Sequence, residues 1–339
     1  MKFCLIGTGH AATSIAKAMR KISGSEIIAV CGSDVKHTLK FSKKNRIPRY
    51  YTSVQTMFEN EKGVEGVIIA TIPSRHYQDI VTSSRYVDRI IVEKPIVITT
   101  REIEGIRALV KERKISISVI YQLKYCKAYR QLKEELEKNS DNIHEIDLHL
   151  SQYRDLDYFS GYGTWRRNKK ESGGGVLLQQ GIHWMNMLCG IIGYDAAIVS
   201  VHQDFSEGIE TESALSANLL IKTKRSGRSI PLNLFFSRIS PTMPTTLRVY
   251  GDKFVYGMND FRFFSVVPPR NVLQRVLSVI SRKFPLLVSI VRNYYSGSYR
   301  DFWKDVISKN ENGHRTSLFL EEALQDVELI NDIYEWKGN

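Results

Sequence analysis

The chain reads as an α/β protein: a doubly wound parallel sheet, then an α+β domain with a large, open, mostly antiparallel sheet. Three observations predict this. Residues 1–121 alternate short β-branched runs with segments whose apolar positions recur at helical spacing, the pattern of a parallel sheet covered on both faces. From Gln122 onward, strand patterns follow one another with few helices between them. Hydrophobic residues make up 42% of the 339 and charged residues 25%, which supports packed cores and excludes wholesale disorder. The domains are expected at 1–121 and 122–339.

In the first part, strands are expected at Lys2–Ile6, Glu26–Cys31, Gly66–Thr71, Arg89–Glu93 and Ser116–Tyr121. Helical spacing over His10–Ile22, Val35–Lys44, Ser53–Glu61, Tyr77–Tyr86 and Arg101–Lys114 separates them. In the second part, a helix over Ala128–Lys138 precedes strands at Ile143–Tyr153, Ile198–Phe205, Ser213–Lys222, Ser229–Phe236 and Thr246–Tyr256. Arg225-Ser226-Gly227-Arg228 reads as a hairpin turn. A helix over Val176–Gly190 interrupts the strands, and Tyr299–Trp336 is helical again.

The 48 Lys and Arg exceed the 36 Asp and Glu, for a net charge of +12. That charge admits nucleic acid, an acidic membrane surface or an anionic small molecule as partner. No nucleic-acid motif is present, and the basic residues are dispersed except in two segments, so nucleic acid is set aside. One basic segment, Arg270–Arg292, has no acid and interleaves apolar residues; it reads as a surface helix pair, a basic lid or a peripheral membrane contact. No stretch approaches the ~18 apolar residues of a membrane span, and the N-terminus lacks signal-peptide features. Cys4, Cys31, Cys126 and Cys189 show no paired spacing, so no disulfide framework, no metal site and a reducing, cytoplasmic compartment are expected.

The first strand runs into Gly7-Thr8-Gly9-His10-Ala11-Ala12 and then a helix. This is GxGxxA in strand–turn–helix context, the Rossmann fingerprint for a dinucleotide. The first glycine permits the turn, the second admits a pyrophosphate, and small Ala12 lets the helix pack close. The second strand ends Cys31-Gly32-Ser33-Asp34. Gly32 occupies the slot of the usual ribose-binding acid and Asp34 comes two residues later. Asp34 suits ribose hydroxyls; Ser33, Lys36 and Lys40 suit a 2′-phosphate. NAD and NADP both stay open.

Two further strand ends face the same edge. Thr71-Ile72-Pro73-Ser74-Arg75-His76 follows the strand at Gly66, with His76 either capping the next helix or facing the cofactor. Glu93-Lys94-Pro95 ends the following strand. A lysine there donates to a substrate hydroxyl and places positive charge over a developing alkoxide; the triplet alone also fits a surface ion pair.

Together GxGxxA, the strand-end PSxxH and the EKP triplet resemble the Gfo/Idh/MocA oxidoreductases. Ser172-Gly173-Gly174-Gly175 through Gln179 and His183 resembles that family's GGG(x)LxDxGxH helix, and Gln122-Leu123-Lys124-Tyr125 resembles the start of its substrate domain. The resemblance implies an NAD(P)-dependent dehydrogenase acting on CH–OH groups. It implies Lys94 and His183 at the reacting carbon, with His183 as general base, Lys94 orienting the hydroxyl, and Glu93 on the cofactor side. It also implies pairing of chains through the open sheet, as a homodimer or homotetramer. The chain departs from the pattern at Gln179, where the family most often has Asp; an amide holds hydrogen bonds but no proton charge. A non-catalytic dinucleotide-binding regulator therefore stays open.

Trp165-Arg166-Arg167-Asn168-Lys169-Lys170 precedes the triple glycine. Guanidinium groups beside a helix N-terminus suit an anion, and Tyr162 or Trp165 suits stacking. With Lys124, Tyr125, Arg166, Gln179 and His183 these form the expected substrate side. The cleft favours an anionic nucleotide sugar; a free sugar, inositol or other polyol is the alternative.

Overall fold

The computed structural model describes residues 1–139, 142–266, 292–308 and 317–338. The first sheet holds β1 (Lys2–Ile6), β2 (Glu26–Cys31), β3 (Arg49–Tyr51), β4 (Gly66–Ile69), β5 (Arg89–Val92) and β6 (Ser116–Val119). They lie in the order β3-β2-β1-β4-β5-β6, and every pair is parallel. Phe3, Cys4, Leu5, Val67, Ile68 and Ile69 have no exposed surface; both faces of these central strands are covered, as a continuous apolar run requires. The order reverses between β1 and β4, which puts the glycine turn and the β4 and β5 ends at one crevice.

The second sheet holds β7 (Ile143–Ser151), β8 (Ala196–Asp204), β9 (Ala214–Lys222), β10 (Ser229–Ser237), β11 (Met243–Gly251), β12 (Phe254–Asn259) and β13 (Arg262–Val266). Its order is β13-β12-β11-β7-β10-β9-β8. The β7–β10 pair is parallel and the others antiparallel. Ile146, Leu148 and Leu150 of β7 alternate into the core, as one covered face dictates. The single strand expected over Thr246–Tyr256 is a hairpin, β11 turning at Asp252-Lys253 into β12. The apolar alternation runs on either side of that turn without an Asn-Gly or Gly-Gly signal to mark it. Three-residue β3 is likewise too short to stand out by periodicity, and β13 adds an edge strand beyond the expected ones.

The expected helix over Val176–Gly190 opens with a π-helical turn, Leu177–Gly181, and continues as an α-helix, Ile182–Ile192. The chain end alters the expected division. Phe302 and Trp303 of the helix Arg292–Ser308 are fully buried with Phe3, Leu5, Ile15 and Met19. Leu318 accepts from Val119 N at 3.0 Å and donates to Ser118 Oγ at 3.2 Å. The end of the chain thus completes the first domain's core and edge, so one cut at residue 121 does not separate the two bodies. The last helix, Leu320–Glu335, packs Ala323, Leu324, Val327 and Ile330 into a core cluster to which both sheets contribute. The basic segment 270–292 lies outside the described residues, save Arg292, which opens a helix. All four cysteines are free and buried. No described helix is long and apolar enough to cross a membrane.

Trp303→Ala should cost roughly 3–5 kcal/mol by leaving a cavity under β1. Urea denaturation followed by a first-domain probe should show the loss; an unchanged midpoint would place Trp303 outside that core.

Candidate active site

The crevice begins at the glycine turn. Gly7 has φ +111° and a Cβ there would lie 2.3 Å from Ala70 O, so the turn requires glycine. At Gly9 an added Cβ meets nothing within 4 Å among the described residues. Gly9 is the N-cap of His10–Met19 and no side chain caps that helix. Free N–H groups, the helix dipole and open approach fit a dinucleotide pyrophosphate. Thr8, His10 and Ala11 line this turn; Ala12 is buried under it.

At the β2 end, a Cβ on Gly32 would lie 2.4 Å from Thr38 Oγ1 and 2.8 Å from Thr8 Cγ2. The usual acid slot is therefore filled from both sides. Ser33 is exposed. Asp34 Oδ1 accepts from His37 N at 2.6 Å, capping the helix Val35–Asn45. His37, which sequence reasoning missed, meets Thr8 O through Nε2 at 3.2 Å and lies against Tyr162 with centroids 4.7 Å apart and planes tilted by 39°. That contact joins residues of the two domains.

The β4 and β5 loops are tied together by His76, which is 1% exposed. Its Nδ1 faces Pro95 O at 2.7 Å and its Nε2 faces Thr71 O at 3.1 Å. Burial, aided by the Lys94 charge, pushes its pKa down to about 4. His76 neither caps its helix, which starts at Pro73, nor lies open to a ligand; it positions the Lys94 loop. Thr71 Oγ1 donates to Asp79 at 2.8 Å. Glu93 is buried, and burial raises its pKa to about 7 against the Lys94 charge.

Lys94 crosses between domains. Its Nζ donates to Gln179 O at 2.6 Å, inside the π turn. Burial lowers its pKa; Glu93 opposes this and Arg166 adds to it. His183 lies four residues, about one turn, after Gln179. Burial first, then the Lys94 charge, holds its pKa well below the usual value. A neutral imidazole at pH 7 is competent to accept a proton. Its Nδ1 is enclosed without a partner among the described residues.

Gln179 is buried and committed. Its Nε2 donates to Gly174 O at 2.7 Å and Arg166 O at 3.1 Å, bonds a carboxylate cannot make. Its Oε1 faces Arg238 Nη1 at 3.5 Å. Gln179 thus clamps the loop rather than presenting itself to a substrate. Arg238, also missed, is 1% exposed and is held by Thr211 O and Oγ1 at 3.1 and 2.7 Å. Glu212 accepts from Gly175 N at 2.6 Å and Leu177 N at 3.0 Å, fixing the start of the π turn. Arg154 and Arg166 both lie over Tyr158, at 5.3 and 4.5 Å, and Arg166 also lies over Trp165 at 4.6 Å.

Lys124 and Tyr125 are not brought to this place. Lys124 pairs with Glu322 beside Gly190, about 10 Å along the helix from His183. Tyr125 OH donates to Asp305 Oδ2 at 2.5 Å. Among the described residues no His, Cys, Asp and Glu cluster suits a metal.

The depressed pKa of His76 has a consequence for stability. Below its unfolded value of 6.5 the unfolded chain binds a proton that the folded chain refuses down to about 4. Stability therefore rises with pH across that window, by on the order of 3 kcal/mol from this group. In His76→Gln the rise measured by urea denaturation between about pH 4.5 and about pH 7 should shrink; an unaltered slope would refute the assignment.

Comparison with known proteins agrees with this geometry. Residues 1–121 match the Gfo/Idh/MocA model described as an oxidoreductase family, NAD-binding Rossmann fold. Residues 129–256 match the Gfo/Idh/MocA C-terminal domain. An oxidoreductase of Formosa agariphila is 23% identical over 192 residues, 56% of this chain and 60% of its own length. The chain thus spans about three fifths of that curated relative. The WlbA dehydrogenase of Chromobacterium violaceum, solved with NADH and UDP-GlcNAcA, superposes with a TM-score of 0.80 at 18% identity, covering 98% of this chain and 92% of its own. A levoglucosan dehydrogenase with NADH and levoglucosan gives 0.79 at 15%, covering 99% and 96%. Such low identities speak for the fold. The two family matches, in order and spanning both sheets, make this chain a member of the Gfo/Idh/MocA oxidoreductases, with residues 1–121 as its NAD-binding domain.

Proposed function

We propose that the chain is an NAD(P)-dependent dehydrogenase that moves a hydride between the nicotinamide and a secondary alcohol or ketone of a sugar. The observation that carries this is the anchoring of Lys94 Nζ on Gln179 O, one turn from a neutral, half-buried His183. When bound, the nicotinamide supplies the two-electron acceptor at one carbon. The Lys94 ammonium orients the substrate hydroxyl and stabilises its developing negative charge. A ring nitrogen of His183 takes the hydroxyl proton and returns it in the reverse direction. Buried Glu93 faces the cofactor side, and the uncapped Gly9 turn takes the pyrophosphate.

The substrate we assign is an anionic nucleotide sugar of polysaccharide biosynthesis. Arg154 and Arg166 on the Tyr158 ring support that reading, since neither makes a direct ion pair with a carboxylate among the described residues. WlbA, solved with a UDP-sugar, is a structural neighbour. A free sugar or polyol is the second reading, favoured by the equally good superposition of levoglucosan dehydrogenase. We also infer a homo-oligomer formed through the open face of the second sheet, where Leu220 and Phe235 are exposed.

Native mass spectrometry of the purified chain should find NAD(H) or NADP(H) bound. Lys94→Ala and His183→Ala should each retain that cofactor and lose about 100- to 10,000-fold in turnover on a panel of UDP-sugars and free sugars. Wild-type rates in both variants would refute the site. Light scattering at micromolar concentration should give a mass above that of one chain; a monomer would refute the assembly.

A further inference from the structure

His183 lacks the device that usually orients an acid–base imidazole. Such a ring is normally held by a hydrogen bond at its second nitrogen, yet Nδ1 of His183 is enclosed with no partner among the described residues. Its closest aromatic contact is Tyr121, whose ring meets it edge-on with centroids 5.8 Å apart and planes at 81°. Tyr121 is 1% exposed and its hydroxyl donates to Asp326 Oδ2 at 2.7 Å. Asn186, three residues after His183 and on the same helix face, donates to the same oxygen at 2.7 Å. Tyr194 OH donates to Oδ1 at 3.0 Å.

We propose that Asp326 is a positioning residue: one buried carboxylate pins both the ring that packs against His183 and the helix that carries it. Asp326 stands at an apolar helix position between Leu324 and Val327 and is 1% exposed. Burial raises its pKa to about 7, opposed by its three donors and then by Lys124. Lys124 itself pairs with Glu322, so no cation meets Asp326 directly among the described residues. A buried carboxylate without a direct counter-ion is a poor way to add stability, because a packed apolar residue does better there. The three donors, converging from the end of the first sheet, the His183 helix and the following loop, instead hold three segments in one geometry. A catalytic imidazole needs that geometry within a fraction of an ångström.

The proposal rests on His183 being the acid–base group, and its test has an arm independent of turnover. Imidazole signals of histidine-labelled chain, with His183 identified by its loss in His183→Gln, are followed through a pH titration. In Asp326→Asn and Tyr121→Phe the His183 signal should move and its titration should depart from that of the wild type, while the His76 signal stays in place. Turnover on the sugar panel should fall about 10- to 100-fold in kcat, with cofactor affinity and KM within about twofold. A lowered melting temperature with an unmoved His183 titration and wild-type kcat would make the network merely structural and overturn the proposal. Absence of turnover in the wild type, with the His183 titration shifted in both variants, would sink the substrate reading and leave the positioning intact. Tyr121→Phe keeps the ring and loses one hydroxyl, so it guards against a folding failure of Asp326→Asn.

Discussion

The hydrogen bond from Lys94 Nζ to Gln179 O is the point on which the rest of the site turns. Lys94 leaves the end of β5 in one domain, and Gln179 sits in a π turn of the other. A buried ammonium needs acceptors close by, since an unpaired charge away from water costs far more than the packing of one apolar group contributes. A main-chain oxygen and the charge of Glu93 meet that need without a direct carboxylate partner. π turns re-aim groups on a helix and recur at functional sites. Here the turn keeps His183 in a place where burial first, and then the same positive charge, depress its pKa.

The surroundings read as a scaffold for that contact. Gly175 lies so near Glu212 O that a Cβ would sit 2.0 Å from it; the third glycine of the run allows the helix to start against Glu212. The carboxylate of Glu212 then takes the free N–H groups of Gly175 and Leu177 and the hydroxyl of Tyr334. Gln179 carries two amide protons to Gly174 O and Arg166 O. An aspartate at that position would set a charge against two carbonyl oxygens and lose both bonds. The glutamine is thus explained by local structure, and the site is left with Lys94, Arg166 and Arg238 on one side and buried Glu93 and Glu212 on the other.

Several site residues were legible because their signal is local. Gly7 and Gly9 announce a turn by residue type and by following a strand, and Glu93-Lys94-Pro95 closes an apolar run. His183 follows a triple glycine at helical spacing. Lys124, Tyr125 and Gln179 were legible only as polar residues beside these motifs; their partners, Glu322, Asp305 and Arg238, lie far away along the chain. Asp326 did carry a signal, an acid at a helix position whose neighbours Ala323, Val327 and Ile330 are all buried. Read by period alone, such a residue is a flaw in an apolar stripe; its meaning needs Tyr121 and Asn186 beside it.

By itself the sequence determined the two sheets, the parallel character of the first, and the turn expected to receive a dinucleotide, because period, glycine placement and strand ends act over a few residues. The tertiary structure alone decided which polar groups remain free to meet a ligand. It turned His76 inward, gave Lys124 and Tyr125 to the closing helices, and returned Trp303 to the first core. Those outcomes depend on burial and on partners distant in sequence, and a side chain's chemistry follows what it touches once water has been removed.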